Sequence, residues 1–404
     1  MELKKDWEIK KLGEVCQIKG GKRIPKGKKL LTEKTLHPYI RVTDFTDDGT
    51  VSLSDIHYIS DEIYETIKQY TITTSDVFIS IAGTIGKVGI IPVELNNANL
   101  TENACKLILN DRLYNKYLVY VFQSDKIKAI TQDNARANAM PKLSLTRLSN
   151  IEIPVPPLEE QKRIVKILDE KFAQLESLKA NAQTNLQNAK DLFQSQLAKA
   201  FSNTTWEKKR LGDCGTFKNG MNFAATDSGY TIRSLGVGDF KDRYSIDTTE
   251  TLSEISLKAA PSEDYLLHDG DIVFVRSNGN KELVGRCLLV YPKDIPTTYS
   301  GFCIRFRKDF DLLDADFLLH FMKAESSRKI LNGKEGANIS NLNQKILGDF
   351  EVPLPPLPEQ KRIVKELDTL SEKVRQLQEI YTKQIANCDE LKQSYLQKTF
   401  EGEL

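Results

Sequence analysis

The 404-residue sequence has few of the residues from which catalytic and metal sites are built. Its four histidines are scattered, and its six cysteines form no Cys-x-x-Cys pair, so a zinc site has no support. We expect the cysteines to be reduced and buried. The sequence contains no Gly-x-Gly-x-x-Gly motif, no P-loop, and no Asn/Asp-Pro-Pro-aromatic turn of an adenine methyltransferase. We therefore predict no catalytic centre, no cofactor and no metal in this chain.

Long apolar segments and an excess of one charge are also missing. No run approaches the length of a membrane span, and no hydrophobic segment follows the first lysines, so a cytoplasmic protein is expected. The formal net charge is only +1. Proteins that bind DNA alone usually carry a clear basic excess, so either the basic residues cluster locally or a partner contributes.

What the sequence does contain is a repeat. The segment PVPPLEEQKRIVK, residues 154–166, returns as PLPPLPEQKRIVK at residues 353–365, 199 positions later. The same offset relates WEIKKLGE at Trp7 to WEKKRLGD at Trp206, and QSQLAKAF ending at Phe201 to QSYLQKTF ending at Phe400. Two copies of one unit imply two-fold pseudosymmetry, and double-stranded DNA is the commonest partner with matching symmetry.

Each repeat begins with a globular part that mixes strand and helix patterns, residues 1–153 and 203–352. Strands are predicted in YIRVTDF and DVFISIAG of the first repeat. The corresponding segments of the second repeat are TIRSLGVGDF and YLLHDGDIVFVRSNG. Helices are predicted at residues 60–70 and 115–130, and residues 316–331 answer the second of them. The fold class is therefore α+β.

Each repeat ends with a Pro-rich linker and a long helix, residues 154–202 and 353–404. The apolar stripe of the second helix is predicted at Leu367, Leu370, Val374, Leu377, Tyr381, Cys388, Leu391 and Tyr395. The first helix carries Leu168, Leu175, Leu178, Ala182, Ala189 and Leu192 in the same register, and Phe172, Leu186 and Phe193 widen that stripe. The stripes look too long and too detached from the globular parts to be ordinary core, so an antiparallel coiled-coil pair is predicted.

The repeated P-x-P-P-L-x-E-Q-x-x-I helix start, with its WExKxLGE-type opener, resembles the specificity subunit of type I restriction–modification systems. The resemblance covers the whole chain. It implies two target recognition domains, each reading half of a split, asymmetric double-stranded DNA sequence, with the helices setting the spacer. It further implies docking of two adenine-N6 methyltransferase subunits that bind S-adenosylmethionine and, in systems that contain one, of a restriction subunit that uses ATP and Mg²⁺. Helix-start residues near that contact are Glu160, Gln161, Arg163, Glu359, Gln360 and Arg362, all of which also suit a helix N-terminus.

Candidate DNA contacts fall in loops at corresponding places of the two repeats. The basic run KGGKRIPKGKK, with Lys22, Arg23, Lys26 and Lys28, is predicted to touch phosphates, and FKNGMNF, with Lys218 and Asn219, answers it. Base reading is predicted for side chains that can pair with base edges. These are Arg41 and Thr43, answered by Arg233 and Ser234, and the loop residues Arg276, Ser277, Asn278, Asn280 and Lys281, answering Ser80, Thr84 and Lys87.

A third set comprises Asn134, Arg136 and Asn138, answered by Lys334, Asn338 and Asn341. Any one of these residues could instead be a turn residue bonded to its own backbone. Three other functions stay open: a non-DNA scaffold that joins two ligand-binding domains, a self-contained nuclease or methyltransferase, and a specificity subunit whose methylation and cleavage partners are fused.

Overall fold

The computed structural model describes residues 6–136, 142–224, 226–240, 243–331 and 341–403, without the side chains of residues 134–136 and 281. The chain divides into two compact units. The first comprises Met1–Ala182 with Lys383–Leu404, and the second comprises Gln183–Thr382. Each unit therefore combines one globular part with a portion of each long helix.

The first unit contains ten strands and the start of a long helix among the residues described. The strands are β1 (Glu8–Lys11), β2 (Cys16–Gly20), β3 (Pro38–Ile40), β4 (His57–Tyr58), β5 (Thr71–Ile72), β6 (Val77–Ser80), β7 (Val88–Gly89), β8 (Ala98–Leu100), β9 (Ala104–Leu109) and β10 (Glu152–Val155). The helices are α1 (Leu12–Val15), α2 (Asp61–Ile67), α3 (Asn115–Gln123), α4 (Asp125–Arg136), α5 (Leu145–Ser149) and α6 (Leu158–Ala200).

The second unit repeats this order in the part of the chain that the structure describes. Its strands are β11 (Lys208–Arg210), β12 (Gly215–Asn219), β13 (Tyr230–Leu235), β14 (Ser245–Ile246), β15 (Glu254–Leu257), β16 (Asp271–Val275), β17 (Cys287–Val290), β18 (Thr297–Tyr299), β19 (Cys303–Lys308) and β20 (Glu351–Pro353). Its helices are α7 (Ala315–Lys323), α8 (Glu325–Leu331), α9 (Gln344–Gly348) and α10 (Leu357–Phe400).

Each unit contains two larger sheets besides the short sheet at its helix start. In the first unit the sheets have the orders β2-β9-β6-β7 and β4-β3-β8-β5, and in the second β12-β19-β16-β17-β14 and β15-β13-β18. Alternate residues of a strand face opposite sides of its sheet. Accordingly, Val77 and Ile79 of β6 join the core beneath α3, while Phe78 packs into the core of the other sheet and stacks on Phe45 at 4.0 Å between ring centres. The α+β prediction is confirmed.

Each Pro-rich segment begins inside a strand, and its later prolines follow that strand up to the start of the long helix. β10 pairs antiparallel with β1, where Pro154 faces Ile9, and β20 pairs with β11, where Pro353 faces Lys208. A short two-stranded sheet tolerates proline because its missing N–H can point away from the partner strand. These sheets fasten each helix start to its own globular part.

Four other predicted elements differ from the structure, one of them the helix at residues 316–331, which is broken at Ala324 between α7 and α8. YIRVTDF is a strand only as far as Ile40, because a 3-10 turn begins at Val42, and TIRSLGVGDF changes in the same way at Val237. The late helix of the first unit ends at Gln123 and restarts at Asp125. The residue between them, Ser124, has extended backbone (ψ 142°), and the hydroxyl donates to Val121 O.

The two long helices pack against each other within each unit. In the first unit Phe172 and Leu175 of α6 share a core with Cys388 and Leu396 of α10, and Lys179 Nζ lies 2.6 Å from Asp389 Oδ1. In the second unit the late part of α6 meets the early part of α10. That core includes Ala189, Phe193, Leu197, Ile363, Leu367 and Val374. Because early α6 contacts late α10 and late α6 contacts early α10, the pair is antiparallel, as predicted.

The predicted stripe was partly wrong. Leu178, Leu192 and Leu391 are 58%, 46% and 47% exposed, and Leu377 also faces solvent at 36%. The other predicted α6 positions Leu168, Phe172, Leu175, Ala182, Ala189 and Phe193 are buried, and they follow a 4-then-3 spacing. Leu178 and Leu192 lie one residue before seam positions and are therefore rotated by about 100° from the contact. The helix starts are also not detached, because Ile164 and Leu168 belong to the globular core.

Candidate nucleic-acid interface

In the first unit, three segments of the chain converge on the turn between β8 and β9. Gly21 N donates to Ala104 O at 2.9 Å, which fixes the start of the basic loop. Ile81 N donates to Asn103 O at 2.8 Å, and Leu143 N donates to Ile81 O at 2.9 Å. The basic loop, the β6–β7 loop, the β8–β9 turn and the segment at Leu143 thus form one cluster, here called recognition loops 1.

The second unit builds the same cluster from corresponding backbone bonds. Gly220 N donates to Cys303 O at 3.0 Å, and Arg276 N donates to Phe302 O at 2.7 Å. Leu342 N donates to Arg276 O at 2.8 Å. We call this cluster recognition loops 2. Loops are suited to recognition because they can vary while the sheets beneath them stay constant.

A glycine allows the close backbone approach in each cluster. A Cβ on Gly21 would lie 2.1 Å from Thr101 O, and a Cβ on Gly220 would lie 2.2 Å from Ser300 O. No side chain fits at such distances, so both loops require glycine where they cross the neighbouring strand. The predicted correspondence between the basic loop and FKNGMNF is therefore confirmed.

The basic loop itself carries its cations at the surface. Lys22, Arg23, Lys26 and Lys28 are all exposed. Arg23 Nε donates to Glu102 Oε1 at 2.5 Å, and Lys28 Nζ donates to Glu62 at 2.7 Å, so acids already hold two of these side chains. Exposed pairs of this kind contribute little and are readily exchanged for phosphate. The prediction of phosphate contact stands as a prediction.

The corresponding loop of the second unit is less basic. Lys218 Nζ lies 3.3 Å from Asp264 Oδ2 and 4.8 Å from the centre of the Tyr265 ring. Asn219 pairs with Ile304 in the β12–β19 ladder, and its Oδ1 is buried with no hydrogen-bond partner among the described residues. The two loops therefore follow corresponding backbone paths in their own units but differ in charge.

The predicted match of Arg41 with Arg233 is wrong. Ile40 pairs with Leu100, and Leu235 pairs with Tyr299 in the same parallel arrangement, so Arg41 corresponds to Gly236. Both positions precede a 3-10 turn whose third residue, Asp44 or Asp239, accepts the backbone N–H. The sequence alignment was displaced by three residues because the connecting segments have different lengths.

Neither arginine is free to read a base without rearrangement. Arg41 Nη2 lies 2.7 Å from Asp44 Oδ1 and 3.0 Å from Asp55 Oδ2, and these bonds, led by Asp44, raise the pKa of Arg41. Arg233 Nη1 donates to Leu252 O at 2.6 Å, and Nη2 lies 3.1 Å from Glu254. Thr43 is exposed, whereas Ser234 is 6% exposed within β13. A base contact by the Ser234 side chain is therefore excluded in this conformation.

The loop between β16 and β17 is longer than its counterpart between β6 and β7. Ser80 N bonds to Lys87 O, and Val275 N bonds to Arg286 O, so six residues, 81–86, correspond to ten, 276–285. Lys87 therefore answers Arg286 rather than Lys281. Lys87 Nζ donates to Phe45 O at 2.9 Å and lies 3.0 Å from Asp47, while Thr84 is exposed at the loop tip.

Inside the longer loop, two asparagines bond locally. Asn280 N donates to Asn278 Oδ1 at 2.8 Å, and Glu282 N donates to Asn280 Oδ1 at 3.0 Å. These bonds give both asparagines the turn role considered as the alternative, and each bond uses the amide oxygen while leaving the NH₂ group. Arg276 and Ser277 are half-buried at the loop base, where Ser277 forms a bridge with Asn341. The Lys281 side chain is not among the atoms described.

The third predicted set lies mostly outside the described residues. Asn138, Lys334 and Asn338 fall in the ranges 137–141 and 332–340, and only the backbone is described for Asn134 and Arg136. Asn341 is exposed and pairs with Ser277. These positions remain predictions.

Two aromatic residues of recognition loops 2 were missed by sequence reasoning. Of the 17 phenylalanines, all within the described part of the chain, two have exposed side chains: Phe302 at 59% and Phe223 at 41%. Phe302 lies in the turn whose carbonyl holds Arg276. Glycine at position 301, beside an aromatic residue in a turn, was the available signal. Aromatic faces exposed beside polar groups suit stacking on a base.

The helix-start residues divide into two buried glutamines and four charged residues, of which Arg163 and Arg362 are exposed and Glu160 and Glu359 are half-buried. Gln161 and Gln360 are fully buried. Gln161 Oε1 accepts from Tyr114 N at 2.8 Å, and its Nε2 donates to Arg112 O and Pro156 O. Gln360 makes the corresponding bonds to Asp314 N, Leu312 O and Pro355 O. Docking by these two side chains is therefore excluded, because their polar atoms are occupied inside the unit.

The charged helix-start residues lie at the surface. Arg163 Nε is 2.6 Å from Glu160 Oε2, and Arg362 Nη2 is 2.8 Å from Glu359 Oε1. The hydrogen bond from Arg362 lowers the pKa of Glu359, and the bond from Glu160 raises the pKa of Arg163. Both acids lie in the first helical turn, where negative charge is favourable. Docking by these four residues remains a prediction.

Other classes of site find no support in the described residues. No group of three or more His, Cys, Asp or Glu side chains there could hold a metal ion. No helix in that part of the chain combines the length and apolar character needed to cross a membrane. Burial raises the pKa of the Cys16 and Cys303 thiols to about 12, as expected for cysteines that serve as small apolar side chains.

The paired loop clusters on a duplicated scaffold agree with what known proteins show. The family model described as "Type I restriction modification DNA specificity domain" matches residues 4–186 and again residues 203–385. The chain therefore belongs to the family of type I restriction–modification specificity subunits, and the resemblance stated from the sequence is confirmed.

Individual relatives give the same assignment. The StySPI specificity subunit of Salmonella potsdam is 30% identical over 276 residues, which cover 63% of this chain and 58% of that protein. The putative MjaX specificity subunit of Methanocaldococcus jannaschii is 25% identical, covering 92% of this chain and 88% of that protein. The EcoKI specificity subunit of Escherichia coli is 28% identical over 63% of this chain and 58% of its own length. The chain thus matches less than two thirds of the StySPI and EcoKI subunits.

Solved structures support the fold. A chain from a structure of type I restriction–modification complex assembly superposes with a TM-score of 0.80 at 21% identity, covering all of both chains. The HsdS subunit from Thermoanaerobacter tengcongensis gives a TM-score of 0.62 at 20% identity, covering 100% of this chain and 99% of that one.

Proposed function

We propose that this chain selects a bipartite, asymmetric double-stranded DNA sequence for a type I restriction–modification complex. Each unit reads one half of the target through its recognition loops. The observation that carries the proposal is duplication of the scaffold with divergence of the loops. Both units have a glycine where the first loop crosses the neighbouring strand, and both have the same backbone bonds between their recognition loops. In the second unit, however, the β16–β17 loop is four residues longer than its counterpart, and the loop that corresponds to the basic loop has far fewer cations. A target with two different half-sites requires two different sets of recognition loops on the same scaffold.

The long helices suit a role as a spacer between the two readers. Helix α6 has 43 residues and α10 has 44, which corresponds to about 65 Å of helix each. Half-sites on one face of DNA are about 34 Å apart, so the helices are long enough to hold two readers at that separation. The antiparallel pairing within each unit makes this element stiff.

Methylation and cleavage belong to partners in this proposal, and the complex acts in the cytoplasm. Two methyltransferase subunits dock near the exposed ion pairs at the helix starts, and they bind S-adenosylmethionine and flip the target adenine. A restriction subunit, where present, uses ATP and Mg²⁺. The near-neutral charge of this chain fits a complex in which partners share the phosphate contacts.

The test is genome-wide mapping of N6-methyladenine in cells with and without this chain, with the methyltransferase subunit present in both. We expect a split, asymmetric motif that disappears when the chain is absent. Methylation that is unchanged by deletion, in cells where the methyltransferase is shown to be active, would contradict the proposal. The non-DNA scaffold would then be preferred, and purified chain with its partner should show no decrease of DNA affinity as salt increases.

A further inference from the structure

The turn between β18 and β19 places an exposed aromatic ring where the segments of recognition loops 2 meet. Phe302 is 59% exposed, while its neighbours Gly301 and Cys303 are buried. A ring in solvent adds nothing to the core of the unit, and burying it against a partner would be favourable. Single exposed apolar residues are common on protein surfaces, so a function for this ring depends on its surroundings.

Backbone hydrogen bonds to two neighbouring segments hold the turn in one conformation. Cys303 N donates to the carbonyl three residues earlier at 2.8 Å, which closes the turn. Gly301 N donates to Met221 O at 2.7 Å on one side, and Phe302 O accepts from Arg276 N at 2.7 Å on the other. A side chain on a turn that is already ordered loses little conformational freedom when it binds a partner. The ring is therefore held ready at the surface.

The first unit has the same turn with a different side chain. Ile81 N donates to Asn103 O at 2.8 Å as Arg276 N donates to Phe302 O, and the 199-residue offset also pairs Asn103 with Phe302. The bond that closes the turn recurs in the first unit at 3.1 Å. Asn103 is half-buried, whereas Phe302 is exposed. The scaffold accepts a polar or an aromatic side chain at this position, so the backbone does not require phenylalanine.

The turn of the second unit also lacks the acid that its counterpart contains. Glu102 of the first unit accepts a hydrogen bond from Arg23, and Gly301 stands at the matching position of the second unit. A Cβ on Gly301 would lie 2.0 Å from Asn222 Oδ1, so the glycine leaves room for that amide. Without a carboxylate in the turn itself, a negatively charged partner meets less repulsion there. The neighbouring amide and Arg276 supply hydrogen-bond donors beside the ring.

The chemistry of a phenyl ring limits what it can recognise on duplex DNA. The ring has no donor or acceptor, so it cannot read the hydrogen-bonding groups of base edges. The faces of the bases are covered by stacking, and insertion between them requires a base step to be unstacked. The 5-methyl group of thymine, in contrast, is an apolar group that the major groove exposes without distortion. A ring held on a rigid turn, beside an arginine suited to base edges, fits that methyl group.

We propose that Phe302 makes the second unit selective for thymine at one position of its half-site, by packing its ring against the 5-methyl group. The inference rests on the proposed function, since it requires recognition loops 2 to face the major groove of the target. Asn103 gives the first unit an amide at the same place, which suits a hydrogen-bonding base edge rather than a methyl group. The two units therefore read DNA by different chemistry at this position.

The test measures binding of the full-length chain, with its methyltransferase partner, to a duplex that carries the motif found by methylation mapping. In a set of duplexes each thymine of the motif is replaced in turn by deoxyuridine, which removes only the 5-methyl group. We expect one replacement to weaken binding of the wild-type complex about fourfold, as for one buried methyl group. In Phe302→Asn the same replacement should have no effect, because the apolar partner of the methyl group is gone.

Two further variants separate apolar packing from aromatic stacking and from general surface effects. Phe302→Leu keeps an apolar side chain and should remain sensitive to the replacement, although leucine has no flat face to stack on a base. Leu312→Asn is the control, since it removes an apolar side chain that is 55% exposed beyond the opposite end of β19, and it should bind like the wild type. Phe302→Asn should fold, because the first unit has asparagine in the same turn, and thermal unfolding would verify this.

The possible results distinguish this inference from the proposed function. Selective binding in which no thymine replacement separates Phe302→Asn from the wild type would overturn the inference and leave the proposed function intact. An equal loss of affinity on every duplex, in Phe302→Asn and Phe302→Leu alike, would assign the ring to stacking or insertion and would also overturn it. A complex that binds all DNA sequences equally would overturn the proposed function, and the inference with it.

Discussion

At the scale of single residues, the role of a side chain is clearest where hydrogen bonds inside the unit satisfy all of its polar atoms. Gln161 ties the start of α6 to the carbonyl of Arg112 and the N–H of Tyr114, and Gln360 repeats this in the second unit. The repeated Glu-Gln pair thus has two separate roles. Its glutamine locks the helix to the globular part, and its acid lies at the surface in the first helical turn.

We expect Gln161→Met to lower the free energy of unfolding by about 2–3 kcal/mol, since methionine keeps the volume but removes the side-chain partner of three backbone groups, one of them buried and two partly buried. Urea unfolding followed by circular dichroism would measure it. Gln183→Met, at an exposed position of the same helix, is the control and should change stability by less than about 0.5 kcal/mol. Equal effects of the two substitutions would show that the buried bonds contribute nothing.

Phosphate and base contacts can be separated by comparing Lys26 with Arg276. Lys26 lies exposed in the basic loop, so Lys26→Gln should weaken binding equally on all DNA sequences and reduce the slope of log affinity against log salt by about 0.9.

Arg276, at the base of the longer loop, should instead govern which DNA sequence is preferred. Arg276→Ala should reduce discrimination at one base pair of one half-site by about 1–3 kcal/mol. Binding measured on a set of single-substituted targets would distinguish these outcomes, and a uniform loss for Arg276→Ala would place it with the phosphate contacts.

At the scale of elements, sequence reasoning succeeded where a pattern is local and repeated. The Ser60 cap and the helix at Asp61–Ile67, the buried strands Val77–Ser80 and Asp271–Val275, and both long helices were predicted from composition and spacing. The mismatch of Arg41 with Arg233 arose because identity is low there and loop lengths differ, so only strand pairing sets the register.

The helix seam gives a test of which apolar stripe is buried. Phe193→Ala should cost about 3–5 kcal/mol, because the side chain is 7% exposed and packs in the core of the second unit. Leu192→Ala, one residue earlier and 46% exposed, should cost less than about 1 kcal/mol. Chemical unfolding of the two variants would compare them directly. A larger loss for Leu192→Ala would restore the stripe predicted from the sequence.

At the scale of the whole molecule, the repeat predicts that the readers are interchangeable modules. Replacing residues 1–153 with the corresponding part of another specificity subunit should change one half of the methylated motif and leave the other half and the spacer unchanged. The buried glutamine bonds at the helix start must be kept for the hybrid to fold, and residue 153 lies within β10, so the exchange is best extended through Val155 to a junction before α6. Mapping of N6-methyladenine would report the motif, and a change in both halves would contradict independent reading.

The spacer prediction depends on the antiparallel pairing of the helices. Lengthening α6 alone would misalign its seam with α10, so we expect that change mainly to destabilise the protein. A matched insertion of seven residues in both helices, after Ala182 and after Thr382, nearly preserves the heptad phase and adds about 10 Å. Since DNA rises by about 3.4 Å per base pair, the preferred spacer should lengthen by about three base pairs with both half-sites intact. A matched insertion of four residues rotates the continuation of each helix by about 40° and is the control for phase. If the seven-residue variant folds and methylates DNA with the original spacer, the helices do not set the distance between the two readers.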